Sequence, residues 1–377
     1  MKKIKFYISA LLLVAVSAMS LSSCSEDKLG DTIFPDVDET LDPSSYTYQL
    51  DKFLKDNYLD KYNLTFLYKM PDVSTNMNYN LVPATYENSI DLAVLCKHLW
   101  FDVYDKVAGE DFLKTYGPRI ILLIGSPAYN PTSGTEIVGL AEGGIKISLF
   151  KVNAMRINDF NMMNEYYFKT MHHEFAHILH QTKTYPNQFN TISIGHYDSN
   201  NWQDRSEGQV ASLGFVTTYA SSEFREDFAE TIANYIVKTD AQWNHILDLA
   251  SRGWASGDED DVTSQFYCYY YYPDNDVTRD LEYVSEYNVF IEEDEDGTIH
   301  KYWRNNVDHD GNRIIVYDVE DKDGIDGVQA ILDKVNIARE WLKTDWNVDL
   351  DELRKEVQTR QISYNINELR KWVTEIQ

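Results

Sequence analysis

Two histidines and a glutamate stand at a spacing that suits metal chemistry: His173, Glu174 and His177, in the pattern His-Glu-x-x-His. On a helix, residues four apart lie on the same face, so both imidazoles can bind one Zn²⁺. The glutamate then lies beside the water that the metal activates and serves as general base. Only three positions of the pattern are fixed, so the surrounding sequence has to supply further support.

The residues around the histidines predict a buried helix. Phe175, Ala176, Ile178 and Leu179 make the segment apolar around its polar positions. Such a helix is expected where a protein buries the floor of an active site. We therefore predict that a helix over about 160–181 carries the metal-binding histidines.

A catalytic zinc usually has three protein ligands and one open position. After His177, the next suitable acidic pair is Glu226 and Glu230, again four residues apart and therefore on one helical face. One carboxylate can ligate the metal while the other hydrogen-bonds a ligand histidine and fixes its tautomer. The alternative is a pair of surface acids, but Phe228 and Ala229 make this segment partly apolar.

Two further histidines flank the motif. His180 is seven residues after His173 and falls on nearly the same face, which makes it an alternative third ligand. The longer spacing of metzincins, with a glycine before the third histidine, is absent. We expect His180 to line the cleft or to hydrogen-bond locally, and His172 to be structural.

Short apolar strands are predicted before the motif helix, at Leu64–Tyr68, Arg119–Gly125 and Ile145–Val152. Helices are predicted over Tyr48–Tyr62, Ile90–Val107, Glu223–Lys238, Trp243–Ala250, 328–346, 349–360 and 365–376, and a polar loop from Pro186 to about Gly208. Strands followed by this helix fit an α+β, zincin-like fold. There a small sheet backs the active-site helix, and its edge strand commonly pairs with extended substrate.

Residues 286–327 alternate like strands and have Asp-Gly turns between them, which predicts an inserted three-stranded β-meander. Asp-x-Asp-Gly recurs at 294–297, 308–311 and 321–324, so Ca²⁺ loops are an alternative. None of the three completes the EF-hand pattern with its terminal glutamate. We therefore interpret the three Asp-x-Asp-Gly repeats as tight turns between strands.

The first residues have the pattern of a targeting segment. Lysines at positions 2, 3 and 5 precede an apolar stretch over 8–19 that is too short for a stable membrane span. Leu21-Ser22-Ser23-Cys24 resembles the lipobox of bacterial lipoproteins, which implies a lipid on Cys24. Ser25-Glu26-Asp27 resembles the surface-export signal of Bacteroidetes-type lipoproteins.

These patterns predict a signal peptide over 1–23, a tether over 24–45 and a metallopeptidase domain over 46–377. The expected location is the outer membrane, with the lipid-anchored protein at the cell surface.

The chain of 377 residues carries a formal net charge of −27. A surface this acidic repels phosphate groups, so binding of nucleic acid is not expected. Besides Cys24 the chain has Cys96 and Cys268. One disulfide is possible, but Cys96 lies in an apolar run and is better explained as a buried thiol.

The segment Glu226-Asp-Phe-Ala-Glu230 resembles the Glu-Phe-Phe-Ala-Glu segment of anthrax lethal factor and its relatives, which are gluzincins. The resemblance implies that Glu226 ligates zinc and that Glu230 supports a histidine. Tyr219, seven residues before Glu226, matches the position of that family's active-site tyrosine. A hydroxyl there stabilises an oxyanion. Asp227 departs from the family pattern, which has an apolar residue at its position.

A wider resemblance is to the substrate-import-associated zinc metallohydrolase lipoproteins. It rests on the lipobox, on the run from His172 to Gln181 and on Trp-x-x-Asp-Leu-Asp-Glu-Leu-Arg at 346–354. It implies a link to nutrient uptake through a TonB-dependent transporter and its substrate-binding lipoprotein.

The sequence therefore predicts an outer-membrane zinc peptidase that acts on peptides or proteins, with Glu174 and Tyr219 catalytic. The alternative is a non-catalytic accessory lipoprotein that holds peptide or glycan for an uptake complex.

Overall fold

Helices predominate in the described part of the chain, and a small sheet supports them. The computed structural model describes residues 41–70, 81–129, 136–137, 139–142, 145–251, 289–293, 299–307, 313–317 and 325–376. The chain divides into Met1–Ser44 and Ser45–Gln377, and every element named below lies in the second unit. The predicted signal peptide and Cys24 fall outside the described residues.

The strands are short. In chain order they are β1 (Thr65–Leu67), β2 (Ile120–Leu123), β3 (Ala128–Tyr129), β4 (Glu136–Ile137), β5 (Gly139–Glu142), β6 (Lys146–Leu149), β7 (Val289–Glu293), β8 (Ile299–Val307) and β9 (Arg313–Tyr317). The helices are α1 (Tyr48–Leu54), α2 (Asp60–Tyr62), α3 (Tyr86–Cys96), α4 (Asp102–Ala108), α5 (Glu110–Tyr116), α6 (Phe160–Met163), α7 (Lys169–Thr182), α8 (Gln188–Ile192), α9 (Glu207–Ser212), α10 (Phe224–Val237), α11 (Asp240–Ser251), α12 (Gly327–Trp346), α13 (Leu350–Ser363) and α14 (Ile366–Thr374).

The main sheet has the strand order β1-β2-β6-β5. The first three strands are parallel, with Ile121 opposite Phe66 on one side and Ile147 on the other. Strand β5 runs antiparallel to β6 and forms one edge, and β1 forms the other. The centre of the sheet is apolar and buried, as expected for parallel strands that are covered on both faces.

The metal-binding motif lies on one continuous helical stretch, Phe160–Thr182, built from α6, a π turn at Asn164–Phe168 and α7. Asp159 caps its start by accepting a hydrogen bond from the backbone N–H of Met162. A π turn inside an α-helix frequently marks a functional region. Here it directly precedes the turn that carries the first histidine.

Aromatic residues fix the helix that carries the motif. Phe175 is fully buried and packs edge-on against Trp100, Tyr104 and Phe112, with ring centroids 5.1–5.8 Å apart. These three residues come from the helical segments between β1 and β2. Helix α10 packs along α7, so the two segments predicted to supply ligands are neighbours.

The predicted α+β class with a small backing sheet is confirmed. The predicted meander region contains β7, β8 and β9, paired antiparallel in that order. The thiol of Cys96 is buried and free, whereas Cys268 lies outside the described residues. Among the helices that the structure describes, none has both the length and the apolar composition to cross a membrane.

The loop predicted from Pro186 to Gly208 is wrong in part, because α8 lies within it and α9 begins there. Phe189 explains the error: it is fully buried against Tyr185 and Phe228 and so anchors a helical turn in an otherwise polar sequence. Helix α5 and strands β3–β5 were also not predicted. They are too short to show a periodic pattern.

Candidate metal centre

Three ligand atoms converge where α7 meets the start of α10. His173 Nε2 lies 3.0 Å from His177 Nε2 and 3.0 Å from Glu226 Oε2. His177 Nε2 lies 3.2 Å from the same carboxylate oxygen. Among the described residues, these three side chains form a group suited to hold a metal ion.

The spacing of these atoms fits a zinc ion. Ligands about 2.0–2.1 Å from zinc in a tetrahedron lie about 3.3 Å from one another. Two imidazole nitrogens and a carboxylate are ligands that zinc prefers, and three of them leave one position open. The donor set of His173, His177 and Glu226 therefore fits Zn²⁺.

The electrostatics of the cluster favour a positive charge. Burial opposes the protonated form of His173, but hydrogen bonds to Glu226 and Glu230 outweigh it and raise its pKa to about 10. Burial opposes the charged form of Glu226 as well. The two histidines nevertheless hold the pKa of its carboxyl well below the usual range. A divalent cation supplies the positive charge that these carboxylates stabilise.

Glu230 holds the other ring nitrogen of His173. Its Oε1 lies 2.8 Å from His173 Nδ1, while Oε2 accepts hydrogen bonds from Thr217 Oγ1 at 2.7 Å and Asn234 Nδ2 at 3.1 Å. With the carboxylate fixed in this position, Nδ1 would carry the proton when a metal takes the lone pair of Nε2. Glu230 therefore lies where it can orient a ligand.

His180 orients His177 in a similar way, by contacting its second ring nitrogen. Its Nε2 lies 2.8 Å from His177 Nδ1, so Nε2 of His177 is left facing the cluster. Burial lowers the pKa of His180 to about 4, which keeps its ring neutral, so its Nε2 can accept a hydrogen bond from Nδ1–H of His177. A local hydrogen bond is one of the two roles expected for His180, and a spacing of three residues on a helix permits the contact.

Glu174 and Tyr219 complete the surroundings of the cluster. Burial raises the pKa of Glu174 above its usual value, against the opposing effect of the two histidines. The Tyr219 ring lies 6.0 Å from that of His173. Burial and the neighbouring Glu226 raise its pKa, so its hydroxyl stays protonated and able to donate. His172 points elsewhere, to the hydroxyl of Tyr104 in the core.

The chain is similar to known proteins that are described as zinc-binding. Residues 44–351 match the family described as "Putative zinc-binding metallo-peptidase". The chain belongs to this family. It is also similar to the crystal structure of a "putative zinc-binding metallo-peptidase" from Bacteroides caccae, with 32% identity and a TM-score of 0.57. The similarity covers 87% of this chain and 94% of that one. No curated protein matches the chain.

Membership of this family supports Zn²⁺ as the metal and confirms the prediction of a zinc metallopeptidase family. The structure brings together His173, His177, Glu226 and Glu230, with Tyr219 beside them. The predicted lipidation residue, Cys24, lies outside the described residues.

Asp227 is fully buried directly after Glu226 and forms an ion pair of 2.7 Å with Lys334 of α12. Lys334 also donates to Ser193 Oγ at 2.8 Å and to the carbonyl oxygen of Gly214 at 2.7 Å. This pair explains the departure of Asp227 from the apolar residue of the lethal factor pattern. It ties the start of α10 to α12 and to the segment before Tyr219.

We expect Lys334→Met to lower the free energy of unfolding by about 3–5 kcal/mol, because it leaves the buried carboxylate of Asp227 unpaired. Urea denaturation followed by circular dichroism measures the change. Lys343→Met, at an exposed lysine of the same helix, should cost about 0–1 kcal/mol. Equal losses in the two variants would contradict a structural role of the buried pair.

Proposed function

We propose that the chain is a zinc-dependent peptidase, with His173, His177 and Glu226 as metal ligands and Glu174 as general base. The convergence of two imidazole nitrogens and one carboxylate oxygen beside a buried glutamate carries this proposal. Family membership agrees with it.

Glu174 and Tyr219 have different proposed roles in hydrolysis. Bound Zn²⁺ would supply Lewis acidity, which lowers the pKa of a water molecule and polarises a carbonyl group. Glu174 takes the proton from the attacking water and later delivers it to the leaving amine, so the same carboxylate serves twice. Its raised pKa suits both steps. Tyr219 donates a hydrogen bond from its hydroxyl group to the developing oxyanion.

Strand β5 is the proposed position of the substrate backbone. It is an edge strand of the main sheet, and it contacts α7. An extended peptide that pairs with β5 would place its backbone along the helix that carries the catalytic residues. The substrate class is therefore peptide or protein in extended conformation.

We expect Tyr219→Phe to reduce kcat by about 10²-fold and leave KM nearly unchanged, since an oxyanion donor acts in the transition state. Steady-state kinetics on a peptide found by the library experiment below would measure both constants. Trp202 packs edge-on against this ring at 5.0 Å, and its contact with the aromatic face is kept in the variant. An unchanged kcat would assign Tyr219 to packing alone.

For the location, we propose a lipid on Cys24, an outer-membrane anchor and cell-surface exposure, in association with a TonB-dependent transporter and its substrate-binding lipoprotein. The lipobox-like segment and the acidic residues after it support the anchor. Metabolic labelling with palmitate should mark the natural chain and leave Cys24→Ala unlabelled. Protease treatment of intact cells tests the exposure.

Cleavage of a peptide library by the chain from Ser25 onwards, loaded with zinc, tests the proposed activity. Cleavage that stops with a chelator and returns with added zinc is the expected result. Absence of cleavage with zinc bound and peptide retained would favour the accessory binding lipoprotein instead.

A further inference from the structure

The ring of Tyr219 is only partly enclosed by the protein. Tyr219 lies in the 3₁₀ turn Tyr219–Ser221 that precedes α10, and the residue is 37% exposed. Its hydroxyl group interacts with the carboxylate of Glu226. The hydroxyl group has to leave that partner in order to donate to an oxyanion, so this interaction cannot orient the ring during hydrolysis. Contacts to the ring itself must do so.

Among the described residues, two aromatic side chains contact the Tyr219 ring. The ring of His173, which Glu230 holds from its other side, lies 6.0 Å away between centroids. The ring of Trp202 is closer, at 5.0 Å, and the two ring planes meet at 62°. This is the edge-to-face arrangement that aromatic pairs prefer. Because side chains occupy discrete rotamers, such a contact restricts which rotamer Tyr219 adopts.

Hydrogen bonds hold the segment that carries Trp202, residues 196–205, which we call the Trp202 loop. Asp198 Oδ1 accepts a hydrogen bond from the backbone N–H of Asn201 at 3.0 Å, directly before the 3₁₀ turn Trp202–Asp204. After this turn, Arg205 Nη1 donates to the carbonyl oxygen of His196 at 2.7 Å. The second bond joins the two ends of the loop, so the indole ring is carried by a closed segment.

The Trp202 loop is attached to the turn that carries Tyr219. The backbone N–H of Asp198 donates to the carbonyl oxygen of Ser221 at 2.8 Å, and the turns that begin at Trp202 and Tyr219 are in contact. The contact between the two rings is therefore supported by a backbone hydrogen bond between the same segments. The loop contains none of the proposed metal ligands, and Tyr219 is the proposed catalytic residue that its indole ring contacts.

We propose that Trp202 is a positioning residue, which holds the Tyr219 ring in the rotamer that directs its hydroxyl group toward the metal centre. The inference rests on the proposed function, in which Tyr219 donates to the oxyanion. Catalysis depends steeply on geometry, because a misplacement of about 1 Å can reduce the rate by about 10²-fold. Without the edge-on contact, Tyr219 would spend part of its time in rotamers that cannot donate, and kcat would fall with the competent fraction.

A double-mutant cycle with a peptide that the library experiment identifies tests this role. Trp202→Leu should lower kcat by about three- to tenfold, the range expected from loss of one aromatic pair, with KM nearly unchanged. In the Tyr219→Phe background the same substitution should change kcat by less than about twofold, because no hydroxyl group remains to be positioned. Trp202→Phe keeps an aromatic contact and should retain most of kcat. Equal losses in both backgrounds, or an effect on KM alone, would overturn the proposal.

The matched control is Trp372→Leu, at an exposed tryptophan of α14, which should leave kcat unchanged. If Trp202→Leu fails to fold, Arg205→Gln is the second variant, because it opens the Trp202 loop and keeps the indole ring. Its loss of kcat should again require the hydroxyl group of Tyr219. A loss that is the same without this hydroxyl group would contradict the positioning role.

A crystal structure of Trp202→Leu gives a readout that does not depend on activity. The Tyr219 side chain should occupy more than one rotamer in this variant. A single rotamer, identical to that of the natural chain, would overturn the proposal. Absence of cleavage by the natural chain would count against the proposed peptidase function alone, so the two failures are distinguishable.

Discussion

Glu174→Gln should keep zinc and lose peptide hydrolysis. The substitution preserves the size of the side chain and removes its ability to take a proton. Because general acid–base catalysis contributes about 10²–10⁴-fold and Glu174 is proposed to act in two steps, we expect kcat to fall toward the upper end of that range. Steady-state cleavage and the zinc content by inductively coupled plasma mass spectrometry measure the two effects.

The matched control for Glu174→Gln is Glu368→Gln, at an exposed glutamate of α14, which should leave kcat unchanged. Glu174 is 9% exposed and interacts electrostatically with both histidines, so its variant reports on the centre itself. Turnover retained in Glu174→Gln with zinc bound would exclude Glu174 as the general base. Loss of zinc from this variant would instead show that the carboxylate supports the metal.

Glu226→Ala should weaken zinc binding by more than the 10–100-fold that typically follows loss of a residue that only orients a ligand. Its Oε2 lies 3.0 Å and 3.2 Å from the two histidine nitrogens, so the variant leaves two of three protein ligands. Activity should fall with the metal content. Competition with a fluorescent zinc chelator measures the affinity.

Glu223→Ala is the control for this variant. Glu223 precedes α10 by one residue and is exposed, so its loss removes a similar charge from the same helix start. An equal change of zinc affinity in the two variants would mean that net charge, and not ligation, determines the effect. Unchanged affinity in Glu226→Ala would point to a different third ligand.

Much of the centre was predictable because its chemistry depends on local spacing. His173 and His177 on one helix, and Glu226 and Glu230 on another, follow from a separation of four residues. The long helices and the apolar strands of the sheet also show their periodicity in the sequence. The resemblance to lethal factor indicated that Glu226 is the ligand and Glu230 the residue that supports a histidine. Spacing alone does not distinguish these two roles.

Contacts between distant segments could not be predicted in the same way. Lys334 lies far along the chain from Asp227, and nothing local to either residue indicates that they pair. Predicting the contact between His180 and His177 would require the side-chain rotamers of both residues, which the sequence does not give. Helix α8 depends on the burial of Phe189 by aromatic residues from other elements. These features therefore depend on tertiary packing, which secondary-structure propensity and residue spacing do not predict.

Glu230 and His180 hold the two metal-facing histidines from outside the cluster, so the imidazoles are in position before any metal arrives. The conformational entropy that the two imidazoles lose on being positioned is therefore lost during folding and not during metal binding. Metal binding then stabilises the folded chain by mass action, in proportion to the logarithm of free zinc concentration. The supply of zinc in the surroundings would thus set the lifetime of this protein against unfolding and degradation, independently of any catalytic turnover.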